Sequence, residues 1–158
     1  MATTASPPAH EADSVGAEAW TLFLELFGQH RRRFLLAAAE FDLHPAQAGA
    51  LLNLAEPLPM HELASQLACD SSNVTGITDR LEARGLVTRR PSPEDRRVKH
   101  VVLTARGRRL RARLLDRVGR PLEGFERLSA EEMGQLRDVL GRMVAVQPAG
   151  SAPSAQRA

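Results

Sequence analysis

Residues 62–107 read ELASQLACDSSNVTGITDRLEARGLVTRRPSPEDRRVKHVVLTARG, and the order of signals in this stretch decides the fold. Leu63 and Leu67 stand one turn apart in a short helical segment that begins near Met60. Ala68-Cys69-Asp70 is a brief turn, and Ser71, Ser72 and Asn73 supply start signals for the next helix. Two short helices joined by so small a turn make a helix-turn-helix. In the second of them Val74, Ile77, Thr78 and Leu81 fall on or near the inner side, while Asn73, Thr75, Gly76, Asp79 and Arg80 are the outward candidates. Gly85 ends it. GLVTRR alternates as a strand does, PSPEDRR holds turn formers and VKHVVLT alternates again, so residues 86–104 are predicted to form a β-hairpin with a charged tip. A hairpin placed directly after a helix-turn-helix is a wing.

Working outward, Trp20, Phe23, Leu24 and Phe27 recur at helical spacing and the stripe resumes at Phe34, Leu35 and Ala38, which predicts a long amphipathic helix over 15–40. Leu43-His44-Pro45 opens a second helix, because a proline at the first helical position loses no hydrogen bond; Pro57 and Pro59 end it. Beyond the wing, Leu110, Leu114, Val118, Leu122 and Phe125 lie close to one helical face, with a bend or break at Gly119 and Pro121. Ser129-Ala130-Glu131-Glu132 has the spacing of a capping box, and Met133, Leu136, Leu140, Met143 and Val144 carry a last amphipathic helix to about 146. Residues 1–14 and 147–158 are rich in Ala, Ser, Thr and Pro without periodicity and are expected to be disordered tails.

Length and composition narrow the class. The chain has 158 residues, 43% of them apolar, enough for one ordinary core. One cysteine, Cys69, excludes an intramolecular disulfide and a cysteine-ligated zinc site. The opening MATTASPPAHEADS has no basic stretch followed by an apolar core, and no apolar run approaches the roughly 20 residues that span a bilayer, so a cytoplasmic protein without membrane attachment is expected. The formal charge is only +2, but it conceals a division. Residues 80–120 hold fourteen basic and four acidic side chains, a net of +10, and the remainder seven basic and fifteen acidic, a net of −8. A basic block of this size steers a polyanion whatever the total charge.

Asp95-Arg96-Arg97, followed by Val101, Leu103, Thr104 and Gly107 and preceded by Leu81-Glu82 and Gly85-Leu86-Val87, resembles the winged-helix core of the multiple antibiotic resistance regulator family, MarR. The resemblance extends over residues 15–146. It implies a mainly α fold with a small β-hairpin wing, in which residues 15–42 and 105–146 are dimerisation helices and 45–104 the winged helix-turn-helix DNA-binding part. It further implies a homodimer that binds double-stranded DNA at an inverted repeat and represses transcription until relieved by a small ligand, for which a small aromatic or phenolic effector is the expected class.

A helix of this kind enters a major groove about 12 Å wide. Ser71, Ser72, Asn73, Thr75 and Arg80 are then expected at bases or phosphates, with Gly76 allowing close approach. On the wing, Arg97 is expected in a narrow minor groove, whose negative potential favours a guanidinium, with Asp95 holding its side chain. Arg84, Arg89, Arg90, Arg96 and Lys99 are expected as phosphate contacts or contributors to the field. For effector binding the family places a pocket between the dimerisation helices and the wing domain, which makes Trp20, Phe23, Phe27, His30, Arg31, Phe34 and His44 the candidate walls.

Other chemistry finds little support. His30, His44, His61 and His100 have no partners at metal-ligand spacing, no metal or other cofactor is expected, and Ser65, Ser71 and Ser72 have no nucleophile elbow, so the chain is not expected to be an enzyme. Two positions depart from the family. Cys69 lies before the recognition helix, not near the amino-terminal dimerisation region where the peroxide-sensing branch has its cysteine. Met60 stands at a helix start where the family often has a capping Ser or Thr. The alternative function is a non-catalytic protein-interaction module that retains the fold without operator binding.

Overall fold

The structure is a computed structural model that describes residues 9–93 and 95–145. Its elements follow in the order α1 (Ala9–Glu40), α2 (Pro45–Asn53), β1 (Leu58–Pro59), α3 (Met60–Gln66), α4 (Ser71–Ala83), β2 (Val87–Pro91), β3 (Lys99–Leu103), α5 (Ala105–Val118), a 3-10 turn (Phe125–Arg127) and α6 (Ala130–Ala145). The described residues up to Arg120 form one compact unit, and those from Pro121 a second. The mainly α winged helix-turn-helix expected from residues 62–107 is present.

Each boundary has a local cause. α1 starts at Ala9 and not at 15, so 9–14, expected as tail, belong to the helix; the other expected tail residues, 1–8 and 147–158, lie outside the described residues. It closes through Asp42, which takes the left-handed conformation at φ 53°, while the N–H groups of Asp42 and Leu43 donate to the carbonyls of Ala39 and Ala38 at 3.0 and 2.9 Å. His44 then caps α2: its Nδ1 accepts from the Ala46 N–H at 3.3 Å, and its own N–H donates to the Gln47 side chain at 2.9 Å. Pro45 occupies the first helical turn as expected.

The helix-turn-helix turns through Ala68, at φ 48°, with the Cys69 N–H returning to the Ala64 carbonyl at 3.1 Å. Asp70 caps α4. Its carboxylate accepts from the Asn73 N–H at 3.0 Å and the Ser72 hydroxyl at 2.8 Å. Those two bonds, the Asn73 N–H first, hold its carboxyl below the ordinary aspartate range. A lowered value means the contribution to stability is present at neutral pH and is lost as pH falls through it. Before α3 the cap position is Pro59, and Met60 is already helical, so the methionine does not occupy the capping site.

The sheet has one strand more than the hairpin. β1 pairs antiparallel with β3 (Leu58 opposite Val101), which also pairs with β2 (Arg89 opposite Val101), in the order β1-β3-β2. Leu58 and Pro59, two residues directly after Pro57, carry no alternating pattern, so sequence period could not find them. The core packs Leu51 and Leu54 of the α2 region, Leu63 of α3, Val74 and Leu81 of α4, Leu86, Val87 and Val101 of the wing, and Leu114 of α5, all buried. Thr78, fully buried, satisfies its hydroxyl by donating to the Val74 carbonyl at 2.8 Å.

α5 ends at Val118, with Gly119 at its cap, in agreement with the break expected at Gly119 and Pro121; Leu122 and Phe125 lie beyond it, and Phe125 opens the 3-10 turn of the second unit. In that unit Ser129 and Glu132 form the expected capping box, the Glu132 N–H donating to Ser129 Oγ at 3.2 Å and the Ser129 N–H to Glu132 Oε2 at 2.8 Å. The first turn of α5 lies on the wing so closely that a Cβ on Gly107 would stand 1.9 Å from the Leu86 carbonyl oxygen and 3.2 Å from Leu103 Cδ2. Gly107→Ala is therefore expected to lower stability by about 3 kcal/mol or more, since a backbone carbonyl cannot swing aside as a side chain does. Denaturant unfolding checks this; a loss under about 1 kcal/mol contradicts the contact.

Candidate nucleic-acid interface

α4 presents two chemically distinct sides. Val74, Ile77, Thr78 and Leu81 are buried, while Ser71, Ser72, Asn73, Thr75, Asp79 and Arg80 are exposed. A Cβ on Gly76 would meet nothing within 4 Å, so the chain itself does not require a glycine there. Two of the exposed hydroxyls already use their protons locally, Ser72 toward Asp70 and Thr75 toward the Ser71 carbonyl at 2.8 Å. Both hydroxyl oxygens are left to accept.

The wing tip is closed by backbone bonds. The Ser92 N–H donates to the Val98 carbonyl at 2.8 Å, the Val98 N–H to the Asp95 carbonyl at 2.9 Å, and the Arg97 N–H to Asp95 Oδ1 at 2.9 Å. Asp95 thus holds the backbone of Arg97, whereas the expected partner was its side chain. An Asp two residues before an N–H closes a tight turn with its own carboxylate. The guanidinium is left exposed. Among the described residues Arg80, Arg90, Arg96, Arg97 and Lys99 have exposed side chains with no ion pair or side-chain hydrogen bond.

Between α3, α4 and the wing runs a cleft of about 340 Å³. It is lined by Met60 and His61, by Ser71, Val74 and Thr75, and by Arg97, Val98 and Lys99. The structure therefore brings together Ser71, Thr75, Arg97 and Lys99 from the expected set. Met60, His61 and Val98 were not in it; the only signal was their position, at the start of the first helix of the motif and beside Arg97.

Two expected contacts have other occupations. Arg89 donates to Glu82 Oε2 and Asp79 Oδ1, both at 2.6 Å, and its N–H donates to Glu82 Oε1 at 3.0 Å, so it braces β2 against α4. Arg84 donates to the carbonyls of Asp42 and Phe41, the latter at 3.2 Å. Both arginines satisfy carboxylates or carbonyls of this chain, which sequence spacing does not reveal because the partners come from a preceding helix turn or a distant corner.

Comparison with known proteins agrees with this geometry. A model of the MarR family matches residues 50–99. The uncharacterised HTH-type transcriptional regulator YdgJ of Bacillus subtilis is 37% identical over 94 residues, 59% of this chain and 57% of its own length. YfiV, another uncharacterised HTH-type transcriptional regulator of that organism, is 30% identical over 118 residues, covering 73% of this chain and 74% of its own. The chain belongs to the MarR family. This is a family of non-catalytic DNA-binding regulators. The crystal structure of CouR from Rhodococcus jostii RHA1, bound to p-coumaroyl-CoA, superposes with a TM-score of 0.60 at 29% identity, covering 80% of this chain and 91% of that one. The chain thus spans little more than half of YdgJ and nearly all of CouR.

The residues expected around a MarR-type effector pocket are not enclosed by this chain. Trp20 and Phe27 are each 56% exposed, Trp20 stacks on Phe23 at 5.5 Å, and His30 and Arg31 are exposed. Phe34 is half-buried against the core, and His44 is engaged as the α2 cap. The groove that does lie along α1, about 430 Å³, is bounded instead by Gln29, Arg32, Arg33, Leu36, Ala37, Glu40 and Arg117. Among the described residues no group of three His, Cys, Asp or Glu could hold a metal ion. Because Arg89 is largely covered and carries two short ion pairs, Arg89→Ala should destabilise the protein by about 1–2 kcal/mol, read as a lower denaturation midpoint. Arg90→Ala, next to it and exposed, should leave the midpoint unchanged; equal effects of the two would refute the brace.

Proposed function

We propose that this MarR-family chain is a homodimeric, sequence-specific transcriptional regulator that binds double-stranded DNA at an inverted repeat and represses by occupying promoter sequence. The observation that carries it is the exposed, unpartnered Arg97 at the wing tip beside Lys99 and the polar side of α4 in one cleft. α4 would lie in the major groove, with Ser71, Ser72, Asn73, Thr75 and Arg80 at bases and phosphates, and Gly76 would admit the groove wall. Arg97 would enter the adjacent minor groove, and Arg90, Arg96 and Lys99 would meet phosphates.

Dimerisation is supported by large apolar side chains that each unit leaves exposed. Leu36 of α1 is 68% exposed and Val144 of α6 is 81% exposed, with Leu22, Leu26 and Met143 also accessible. In this proposal residues 15–42 and 105–146 serve the dimer and 45–104 the DNA, and two recognition helices about one DNA turn apart read the two half-sites. A small aromatic or phenolic effector would relieve repression by repositioning the winged parts. The bound p-coumaroyl-CoA of CouR supports that class of ligand, since it joins a phenolic group to an acyl thioester. No helix among the described residues is long and apolar enough to cross a membrane, and we place the protein in the cytoplasm with the DNA it would read.

Selection of genomic fragments by the purified protein should enrich inverted repeats with half-site centres about 10 base pairs apart. Failure to enrich any double-stranded sequence would favour an interaction module. On the selected operator, Arg97→Ala should lower affinity by about tenfold or more while the dimer persists in sedimentation. Lys99→Ala should weaken specific and non-specific DNA alike and reduce the logarithmic salt slope by about one; an unmoved slope removes its phosphate contact.

A further inference from the structure

Arg84 was expected at DNA because it ends the recognition helix in a basic run, yet its guanidinium is bound inside the molecule. It donates to the carbonyls of Asp42 and Phe41 and stands 3.8 Å from the Asp42 carboxylate. These carbonyls are the surplus acceptors where α1 stops. The left-handed turn at Asp42 spends its N–H groups on Ala38 and Ala39, and no later helical turn exists to satisfy the oxygens that follow. A guanidinium is suited to that place by its fork of donors and by its charge at the negative end of a long helix. The same corner is held to α5, since Arg113 lies 4.6 Å over the Phe41 ring and Arg117 pairs with Glu40 at 2.8 Å.

We propose that Arg84 is a positioning residue for DNA recognition: it locks the C-terminal end of the recognition helix to the end of α1 and so sets the half-site spacing the dimer accepts. This rests on the dimeric DNA-binding function proposed above. The lever is quantitative. α4 has 13 residues, about 20 Å at the helical rise, so a tilt of about 10° about its C-terminal end moves its first turn by about 3.4 Å. That displacement equals about one base-pair step. A latch at the pivot is therefore worth one register of spacing at the reading end.

The experiment titrates the full chain against two-fold operators whose half-site spacing is the selected one, one base pair shorter and one longer. The wild type should lose about tenfold or more in affinity at either altered spacing. Arg84→Met, which keeps the aliphatic stem, should flatten that preference to about threefold or less while leaving the salt slope unchanged, and Arg84→Lys, which keeps the charge without the fork, should restore only part of it. An Arg84→Met protein that keeps the wild-type spacing preference, loses affinity equally at all spacings, or drops one in salt slope overturns the proposal. Should Arg84→Met not fold, Arg84→Gln decides, because a neutral amide keeps a polar end but lacks the charge and the fork that reach both carbonyls. Its spacing preference should relax, and an unchanged profile overturns the latch. A wild type that binds no two-fold site overturns the regulator function itself, and a wild type that binds at every spacing equally overturns only the positioning role.

Discussion

Recognition helix, wing and α5 are joined through the carbonyl of Leu86. Its oxygen accepts the Thr104 N–H at 3.0 Å, and Gly107 packs against it so closely that no side chain fits between. The Leu86 N–H reaches back to the Leu81 carbonyl at 2.9 Å, across Gly85 in the left-handed conformation. Thr104 adds its hydroxyl, which lies 2.7 Å from the Gly85 carbonyl and accepts the Gly107 N–H at 3.0 Å to cap α5. The end of the recognition helix, both roots of the wing and the start of α5 therefore share one small patch of backbone. None of these elements can shift without the others, and Leu81, Leu86 and Leu103 bury the apolar side of the same junction.

That rigidity explains how a charge-rich segment can be both scaffold and binding surface. Two groups stand out among the basic side chains of the block. Arg84, Arg89, Arg111, Arg113 and Arg117 hold carbonyls, carboxylates or a ring of this chain; Arg89 ties β2 to α4, and the others tie α4 and α5 to the end of α1 and to α2. Arg80, Arg90, Arg96, Arg97 and Lys99 remain exposed around the cleft and wing. Charge-assisted bonds to backbone carbonyls suit the first group because an arginine keeps its charge and its planar fork at any physiological pH. The second group supplies the field, and the first keeps it aimed.

Helix period made α1, α4, α5 and α6 legible, since each carries a 3.6-residue apolar stripe. Alternation and turn residues did the same for the hairpin. The strand at Leu58 and Pro59 was not legible, because two residues have no period and its pairing partner lies some forty positions away at Val101. Position along the chain also did not reveal the intramolecular partners of Arg84, Arg89 and Asp95. Each sits in the run that resembles a DNA-binding surface, but each finds a nearer partner within the fold: the open end of α1, the carboxylates of Asp79 and Glu82, and the backbone of the wing turn.

Local chemistry along the chain thus settled which segments become helix, turn and wing, because capping residues, glycines and apolar spacing act over a few residues. Family resemblance followed from the same short-range pattern. The allocation of individual charges depended on distances between elements far apart in sequence, and those exist only once the core has packed. Arg97 and Arg84 are alike as residues in a basic run. One stands free at the edge of a cleft and the other closes the end of a helix, and what separates them is which carbonyls folding leaves without a donor.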